Sequence, residues 1–152
     1  MSQGWLVGAA QIVLDEYQGN AGSIWSDEPT AAELRKRLEA FPGIAQKKAA
    51  MAVELLTHYR SVSVQDLSGS DIAYDVHVRR VFLRTGLAQR DDVHDMVAAA
   101  RSLYPERPGA LEIPTWDATR QWCRPKKPDC LSCPLNAACP RLIDRASHIK
   151  CA

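Results

Sequence analysis

Four cysteines near the C-terminal end of the chain have the residue type and the spacing of a metal centre. Within the segment CRPKKPDCLSCPLNAACP they are separated by six, two and five residues, and they are Cys123, Cys130, Cys133 and Cys139. Cysteine thiolates are the usual ligands of iron-sulfur clusters and of many structural zinc ions. The spacing therefore predicts a metal centre that is held by a single loop.

Three kinds of structure could use this spacing. A zinc site usually pairs two short knuckles, and only Cys130 and Cys133 form one. A 4Fe-4S cluster is a larger object, and a wrapped loop with unequal spacers can supply four thiolates around it. Disulfides would require a secreted chain, yet there is no apolar signal segment and a fifth cysteine, Cys151, makes the count odd. The pattern favours the cluster, with zinc and disulfides as the alternatives.

The composition limits the size and the charge of the protein. A chain of 152 residues with 46% hydrophobic residues can form one domain or two small lobes around a core. The net charge is only +1, so affinity for a polyanion has to come from local clusters of charge. From residue 117 onward the sequence has seven Lys or Arg against three Asp, and the cysteine loop lies in this basic region.

The sequence also carries signals about the compartment. No stretch approaches the roughly 20 apolar residues of a membrane span, so we expect no membrane partner. Cysteines that stay reduced for metal binding fit a cytoplasmic protein, which would be nucleoid-associated in a bacterium.

Helical periodicity predicts the elements that would position this chemistry, and strand-like alternation is nearly absent. We expect an all-α fold. Thr30 and Glu33 form a capping box, Asp75 is a candidate N-cap, Gly86 is a candidate stop, and Asp91 or Asp92 can cap a further helix whose Leu103 faces inward. The predicted helices span about residues 4–17, 31–41, 46–59, 76–84, 93–103 and 114–122.

The turn at Pro42 and Gly43 is the second site whose residues suggest a chemical function. A glycine in a turn before a helix lets backbone N-H groups approach a phosphate, which the helix dipole also favours. Lys47 and Lys48 follow in the first helical turn, where the dipole disfavours lysine, so their presence indicates a role other than helix stability. The alternative is that both are solvated charges beside an ordinary helical hairpin.

Three segments together resemble one family. The segment LEAFPGIAQKKAAMAVELL resembles the helix-hairpin-helix of the endonuclease III superfamily of DNA glycosylases. The segment AYDVHVRRVFLRTGL is similar to the family's Val-Asp-Thr-His-Val-x-Arg element, and the cysteine spacing is the family's as well. The segments occur in the family's order, and the resemblance covers about Gly8 to Arg141.

This resemblance implies a fold and a division of the chain. The expected fold is the all-α helix-hairpin-helix DNA glycosylase fold, with a partial six-helix lobe and a small C-terminal iron-sulfur cluster lobe. The first lobe would span residues 1–109, with the helix-hairpin-helix at about 31–59 and the catalytic aspartate helix after it. Residues 110–152 would form a helix and the loop around a 4Fe-4S cluster.

The resemblance also implies an activity and its catalytic residues. The family's catalytic lysine aligns with Lys47 and its catalytic aspartate with Asp75. In bifunctional members the lysine attacks C1′ of a damaged nucleotide after the base has been flipped out, and a Schiff base then permits strand cleavage. The aspartate stabilises the cationic sugar or helps to deprotonate the nucleophile. The chain is therefore expected to be a base-excision-repair DNA glycosylase with AP lyase activity.

The implied partner is double-stranded DNA that contains a damaged base or an abasic site. His77 is expected to be structural, and Trp116 and Trp122 are expected to pack the cluster lobe. The expected DNA contacts are Pro42, Gly43, Ile44, Ala45, Gln46 and Lys48 in the hairpin, with Arg124, Lys126 and Lys127 in the first spacer of the cysteine loop.

The chain departs from the family pattern in three places. Ala45 stands where the hairpin motif has a second glycine, and the connection between Lys47 and Asp75 is lengthened around residues 61–70. The sequence also begins too late to include the family's N-terminal helices, so apolar faces near Trp5 and Leu6 would need a companion chain or self-association to cover them. The alternative function is therefore a non-catalytic DNA-binding module, or a truncated fragment held together by the cluster.

Overall fold

The predicted all-α fold is confirmed. A computed structural model of the protein describes residues 3–149, and in this range the chain forms helices, turns and loops without strands. Cys151 and Lys150 lie outside the described residues. The α-helices are α1 (Gln3–Tyr17), α2 (Ala31–Glu39), α3 (Gln46–Tyr59), α4 (Val76–Thr85), α5 (Val93–Leu103) and α6 (Glu112–Gln121), with 3-10 turns at Ala21–Ile24, Pro108–Leu111 and Ile143–Ala146.

Local sequence signals explain where α2 and α4 begin and end. The Thr30 hydroxyl accepts the backbone N-H of Glu33 at 3.2 Å, and the Glu33 carboxylate accepts the N-H of Thr30 at 2.9 Å, which completes the predicted capping box. Asp75 caps α4, and Gly86 ends it with a left-handed φ of 74°. These helix ends are therefore fixed by their own residues.

Two predictions about the later helices are wrong. Leu103 does not face inward, because it lies at the end of α5 with 55% of its surface exposed. The last helix begins at Glu112 rather than at Pro114. Pro114 fits within the first turn of α6 because the backbone N-H groups there have no partner inside the helix.

The core consists of two clusters of buried side chains. The first cluster joins α1, α2 and α3 around Leu34, Leu38 and Val53, and the second joins α4, α5 and α6 around Phe82 and Met96. The clusters meet at the connection between α3 and α4. The division at residues 109 and 110 that the sequence predicts stays a prediction.

The lengthened connection between α3 and α4 packs against the start of α2. The backbone N-H of Gln65 donates to Pro29 at 3.2 Å, and the N-H of Ala31 donates to Asp66 at 3.1 Å. A Cβ on Gly69 would lie 2.6 Å from the Cβ of Ala32, so a side chain there would force the two segments apart. The extra residues thus lie at the opposite end of α2 from the hairpin turn.

Helix α1 covers the hairpin on one side and exposes an apolar face on the other. Its Ala9, Ile12, Val13 and Tyr17 pack against the first cluster, whereas Leu6 and Leu14 are 66% and 60% exposed. None of the helices within residues 3–149 is long and apolar enough to cross a membrane.

Candidate functional site

Gly43 gives the hairpin its shape for two reasons. Its φ of 77° is one that residues with a side chain rarely adopt, and a Cβ there would lie 2.7 Å from the ring of Trp5. Lys48 reinforces the turn, because its Nζ donates to the carbonyl of Gly43 at 2.8 Å and lies 5.4 Å from the Trp5 ring centroid. The hairpin backbone is therefore held from the side of α1.

Ala45 fits the hairpin without strain. It is the N-cap of α3 with φ of −117° and ψ of −177°, an extended conformation that any residue adopts. The second glycine of the family motif is thus not needed for backbone conformation in this chain. The DNA contacts predicted for Pro42, Ile44 and Ala45 remain predictions.

Gln46 connects the start of α3 to the segment that leads into α4. Its Nε2 donates to the carbonyl of Ile72 at 2.8 Å, and its Oε1 accepts the backbone N-H of Tyr74 at 3.1 Å. These two bonds set the position of the helix turn that carries Lys47 relative to Asp75, which follows Tyr74. The side chain of Gln46 is therefore used for positioning, and only its backbone N-H is left for the predicted DNA contact.

Asp75 is a buried N-cap that uses only one of its two carboxylate oxygens for the cap. It is 8% exposed, and its Oδ1 accepts the backbone N-H groups of His77 and Val78, both at 2.8 Å. Because both cap bonds end on Oδ1, the cap does not require Oδ2. Asp75 also lines an open cleft between α3 and α6.

This cleft, with a volume of about 460 Å³, combines apolar walls with carboxyl groups. Lys47 is exposed and shares one face of α3 with two of the lining residues, Met51 and Glu54, which lie four and seven positions further along the helix. The cleft is lined by Met51, Leu55, Tyr59, Ile113 and Trp116, with the carboxyl groups of Glu54, Asp75, Glu112 and Asp117.

Glu112 is a buried acid that the sequence analysis missed. Burial raises its pKa to about 7, the nearby Asp75 and Glu54 carboxylates add to this rise, and a hydrogen bond from the backbone of Ala73 and the charge of Lys47 oppose it. The residue is 9% exposed, and its Oε2 is buried without a hydrogen-bond partner. No local motif marks this glutamate, because its environment comes from residues far away in sequence.

His77 has a structural role, as predicted from its sequence. Its Nδ1 lies 2.6 Å from the Thr119 hydroxyl, and its ring meets the ring of Trp116 edge to face at 5.9 Å between centroids. Burial lowers the pKa of His77, against the attraction of the Asp75 charge, and Lys47 and Arg120 lower it further.

The prediction that Trp116 packs the cluster lobe is wrong. Trp116 is 42% exposed and lines the cleft beside Asp75, with the Arg120 guanidinium 4.4 Å from its ring centroid. Trp122, in contrast, lies among the cysteines and packs against the second core cluster. The two tryptophans are six residues apart, so they point in different directions from the end of α6.

All four cysteines line one common cavity at the end of α4. The buried Arg84 organises this loop, because its guanidinium donates to the Cys123 sulfur at 3.5 Å and to the carbonyls of Arg124 and Pro125 at 2.7 and 3.1 Å. Burial raises the pKa of the Cys123 thiol, while Arg84 opposes the rise. Within the described residues, no group of three His, Cys, Asp or Glu side chains is arranged to hold a single metal ion.

The basic residues of the cysteine loop are exposed, and they adjoin the end of α6. Arg124 and Lys126 share a shallow groove with Arg120, and Lys127 lies on the exposed loop surface with φ of 50°. Arg120 also contacts Trp116 in the cleft, so positive charge continues from the cleft to the loop. Arg120 was not among the predicted site residues, since its position beside the cleft depends on how α6 packs.

The comparisons identify a fold. No family model matches the chain, and no curated protein does either. A solved structure of a trapped endonuclease III-DNA covalent intermediate, an estranged-adenine complex, is similar with a TM-score of 0.65 and 24% sequence identity. The match covers 93% of this chain and 58% of that chain. The chain thus has the endonuclease III fold and spans little more than half the length of that protein.

Proposed function

We propose that this protein is a DNA glycosylase of base-excision repair that also has AP lyase activity. The observation that carries the proposal is the bridge from Gln46 to Ile72 and Tyr74, because it ties the helix turn that carries Lys47 to the segment that leads into Asp75 on the cleft wall. The similar structure supports the proposal, since it is a covalent complex of endonuclease III with DNA.

In the proposed reaction, Lys47 is the nucleophile and Asp75 is the electrostatic partner. The Nζ of Lys47 attacks C1′ of the nucleotide, and the bond from C1′ to the base breaks with its electron pair leaving on the base. The Asp75 carboxylate stabilises the positive charge that develops on the sugar. The nitrogen passes a proton to the departed base, and the C1′–O4′ bond opens while O4′ takes up a proton from water, which gives a Schiff base. Removal of a proton from C2′ then expels the 3′-phosphate and cleaves the strand.

The DNA surface in this proposal runs from the hairpin to the cysteine loop. Backbone N-H groups at Gly43, Ala45 and Gln46 face a phosphate at the start of α3, where the helix dipole adds its field, whereas the N-H of Ile44 donates to Phe41 at 3.1 Å. Arg124, Lys126 and Lys127 contact phosphates further along the duplex, which makes binding sensitive to salt. The exposed positions of these three side chains and the continuity through Arg120 support this path.

We infer that the cysteine loop takes a 4Fe-4S cluster held by Cys123, Cys130, Cys133 and Cys139. Four thiols around one cavity suit an object that is larger than a single ion. The cluster would fold the loop and hold its basic residues in place. Zinc remains the alternative occupant.

The exposed face of α1 leads to a proposal about partners. Leu6, Val7 and Leu14 are each at least 60% exposed on one helix, and we propose that a second copy of the chain or a companion chain covers them. Sedimentation of the wild type and of Leu14→Glu tests self-association. A monomeric wild type would contradict it.

Borohydride trapping with a duplex that contains one abasic site tests the proposed activity. The wild type should give a covalent adduct, Lys47→Ala should give none, and Lys36→Ala should match the wild type because Lys36 is an exposed lysine on α2. Salt-sensitive binding without an adduct would contradict the proposal and favour the non-catalytic DNA-binding module.

A further inference from the structure

We propose that Trp116 and Glu112 recognise the extruded base in the cleft between α3 and α6, Trp116 by stacking on the base and Glu112 by hydrogen bonding to its edge. This inference rests on the proposed function and adds the residues that recognise the base. The class of ligand is a base that presents a hydrogen-bond acceptor, either a carbonyl oxygen or an unprotonated ring nitrogen.

The position of the cleft fits a base that is attached to the reacting sugar. Asp75 lies on its wall and Lys47 lies on the same face of α3 as Met51, so the sugar and the base would occupy neighbouring space. A base that leaves the stack loses apolar contacts in the duplex. The apolar side chains of Met51, Leu55 and Ile113 can replace those contacts.

Trp116 has the features of a stacking platform. Trp116 is 42% exposed and lies on the wall of the cleft, so its indole is accessible to a base. The guanidinium of Arg120 at 4.4 Å and the edge of His77 at 5.9 Å fix the orientation of the ring. A ring whose orientation is already fixed loses little conformational entropy when a base stacks on it.

Glu112 supplies the polar contact. Its Oε2 has no hydrogen-bond partner although the residue lies in the wall of the cleft, and a buried polar atom without a partner is costly. The terminal torsion of a glutamate is broad, so the carboxyl can turn either oxygen towards the cleft. A base with an acceptor on its edge would give the protonated carboxyl its missing partner.

The charges around Glu112 help to keep this acid neutral up to a pH of about 7. Asp75 at the start of α4 and Glu54 on α3 are carboxylates on two neighbouring elements, and they reinforce burial in raising the pKa of Glu112 to about 7. Lys47 on α3 opposes them, while Arg107 is paired with Glu54 at 2.8 Å. Recognition of the base should therefore weaken as the pH rises through about 7.

The test compares duplexes that differ only in the presence of a base. Affinities are measured in a Lys47→Ala background, so that no base is excised, for duplexes with a single uracil, hypoxanthine or thymine glycol and for a tetrahydrofuran abasic analogue. Preference for at least one of the three bases over tetrahydrofuran is expected. Trp116→Leu should lower this preference about 5- to 100-fold. Glu112→Met should lower it about three- to tenfold, and both variants should bind the tetrahydrofuran duplex unchanged.

One further variant and two controls separate recognition from folding. Glu112→Gln keeps a hydrogen-bond donor, so it should retain the preference but lose its dependence on pH. As the pH rises from the ordinary glutamate pKa to about 7, the wild type should lose unfolding free energy, because protonation of this buried acid favours the folded state. Glu112→Gln should not show this loss. Tyr104→Leu and Glu106→Gln are controls, since Tyr104 is 41% exposed away from the cleft and Glu106 is an exposed carboxylate outside it.

Three results would overturn the proposal. The first is an equal effect of Trp116→Leu and Glu112→Met on base-containing and tetrahydrofuran duplexes. The second is a base preference of the Lys47→Ala protein that does not change with pH at or above neutrality, where the loss of the Lys47 charge shifts the pKa of Glu112 upward. The third is the absence of preference for any of the three bases. Each is distinct from failure of the proposed function, because borohydride trapping on an abasic site requires no base in the cleft. A protein that traps abasic DNA but ignores all three bases would keep the lyase and lose this inference.

Discussion

At the scale of single residues, Asp75 has two roles that a pair of substitutions can separate. Its Oδ1 caps α4 through two backbone N-H groups, and the carboxylate also lines the cleft. Asparagine is about as good an N-cap as aspartate, whereas alanine cannot cap. A purely structural aspartate would tolerate the change to asparagine, and a catalytic one would not.

We therefore expect Asp75→Asn to keep the stability of the wild type while its adduct formation with abasic DNA falls by about 100-fold. Asp75→Ala should lose activity and about 1 kcal/mol of unfolding free energy as well. Urea unfolding and the rate of borohydride-trapped adduct measure the two quantities. Full activity in Asp75→Asn would show that Asp75 is only a helix cap.

At the scale of elements, the site depends on contacts between α3 and the segment before α4. Gln46 makes two hydrogen bonds across this junction, to Ile72 and to Tyr74. A misplacement of about 1 Å in a reacting group can cost a factor of about 100 in rate. We therefore expect the side chain of Gln46 to control the rate of the proposed reaction without touching the reacting nucleotide.

Gln46→Ala should lower the unfolding free energy by about 1 to 3 kcal/mol, because a carbonyl and an N-H lose their partners. It should also slow adduct formation more than it weakens DNA binding, since the Lys47 turn is no longer held beside Asp75. Time courses of borohydride trapping measure the rate of adduct formation, and fluorescence anisotropy measures DNA binding. Gln65→Ala, an exposed glutamine in the same half of the chain, is the control and should change neither.

The elements show how far the sequence can be used for prediction. The limits of α3, the capping box at Thr30 and the cap at Asp75 follow from local patterns, and the structure has them as predicted. Glu112 and Trp116 could not be assigned to the cleft in this way, because their surroundings come from α3 and from residues 73–77. The Leu103 prediction failed because an apolar residue at the end of a helix can satisfy the periodicity and still lie beyond the core.

At the scale of the whole molecule, α1 to α3 and α4 to α6 each have a core cluster, and the cysteine loop joins the second. Arg84 bonds both to the Cys123 sulfur and to the backbone of the cysteine loop, so this loop and α4 are parts of one structure. Loss of the proposed cluster should therefore loosen the cysteine loop before it affects the hairpin.

We expect the purified protein to contain iron and to absorb broadly in the visible region, and Cys133→Ser to lose the iron together with thermal stability and DNA affinity. Cys151→Ser should retain the iron, because Cys151 is not part of the four-cysteine pattern. Elemental analysis and thermal unfolding provide the measurements. A colourless wild type with one equivalent of zinc would contradict the cluster assignment.

The central claim is that Lys47, held beside Asp75, is the residue that bonds to DNA. Its most direct test is mass spectrometry of the borohydride-reduced adduct with abasic DNA after proteolysis. The account predicts that the nucleotide is attached to the peptide at Lys47 and not at its neighbour Lys48. Attachment at Lys48 or at another amine, or the absence of any adduct, would contradict it.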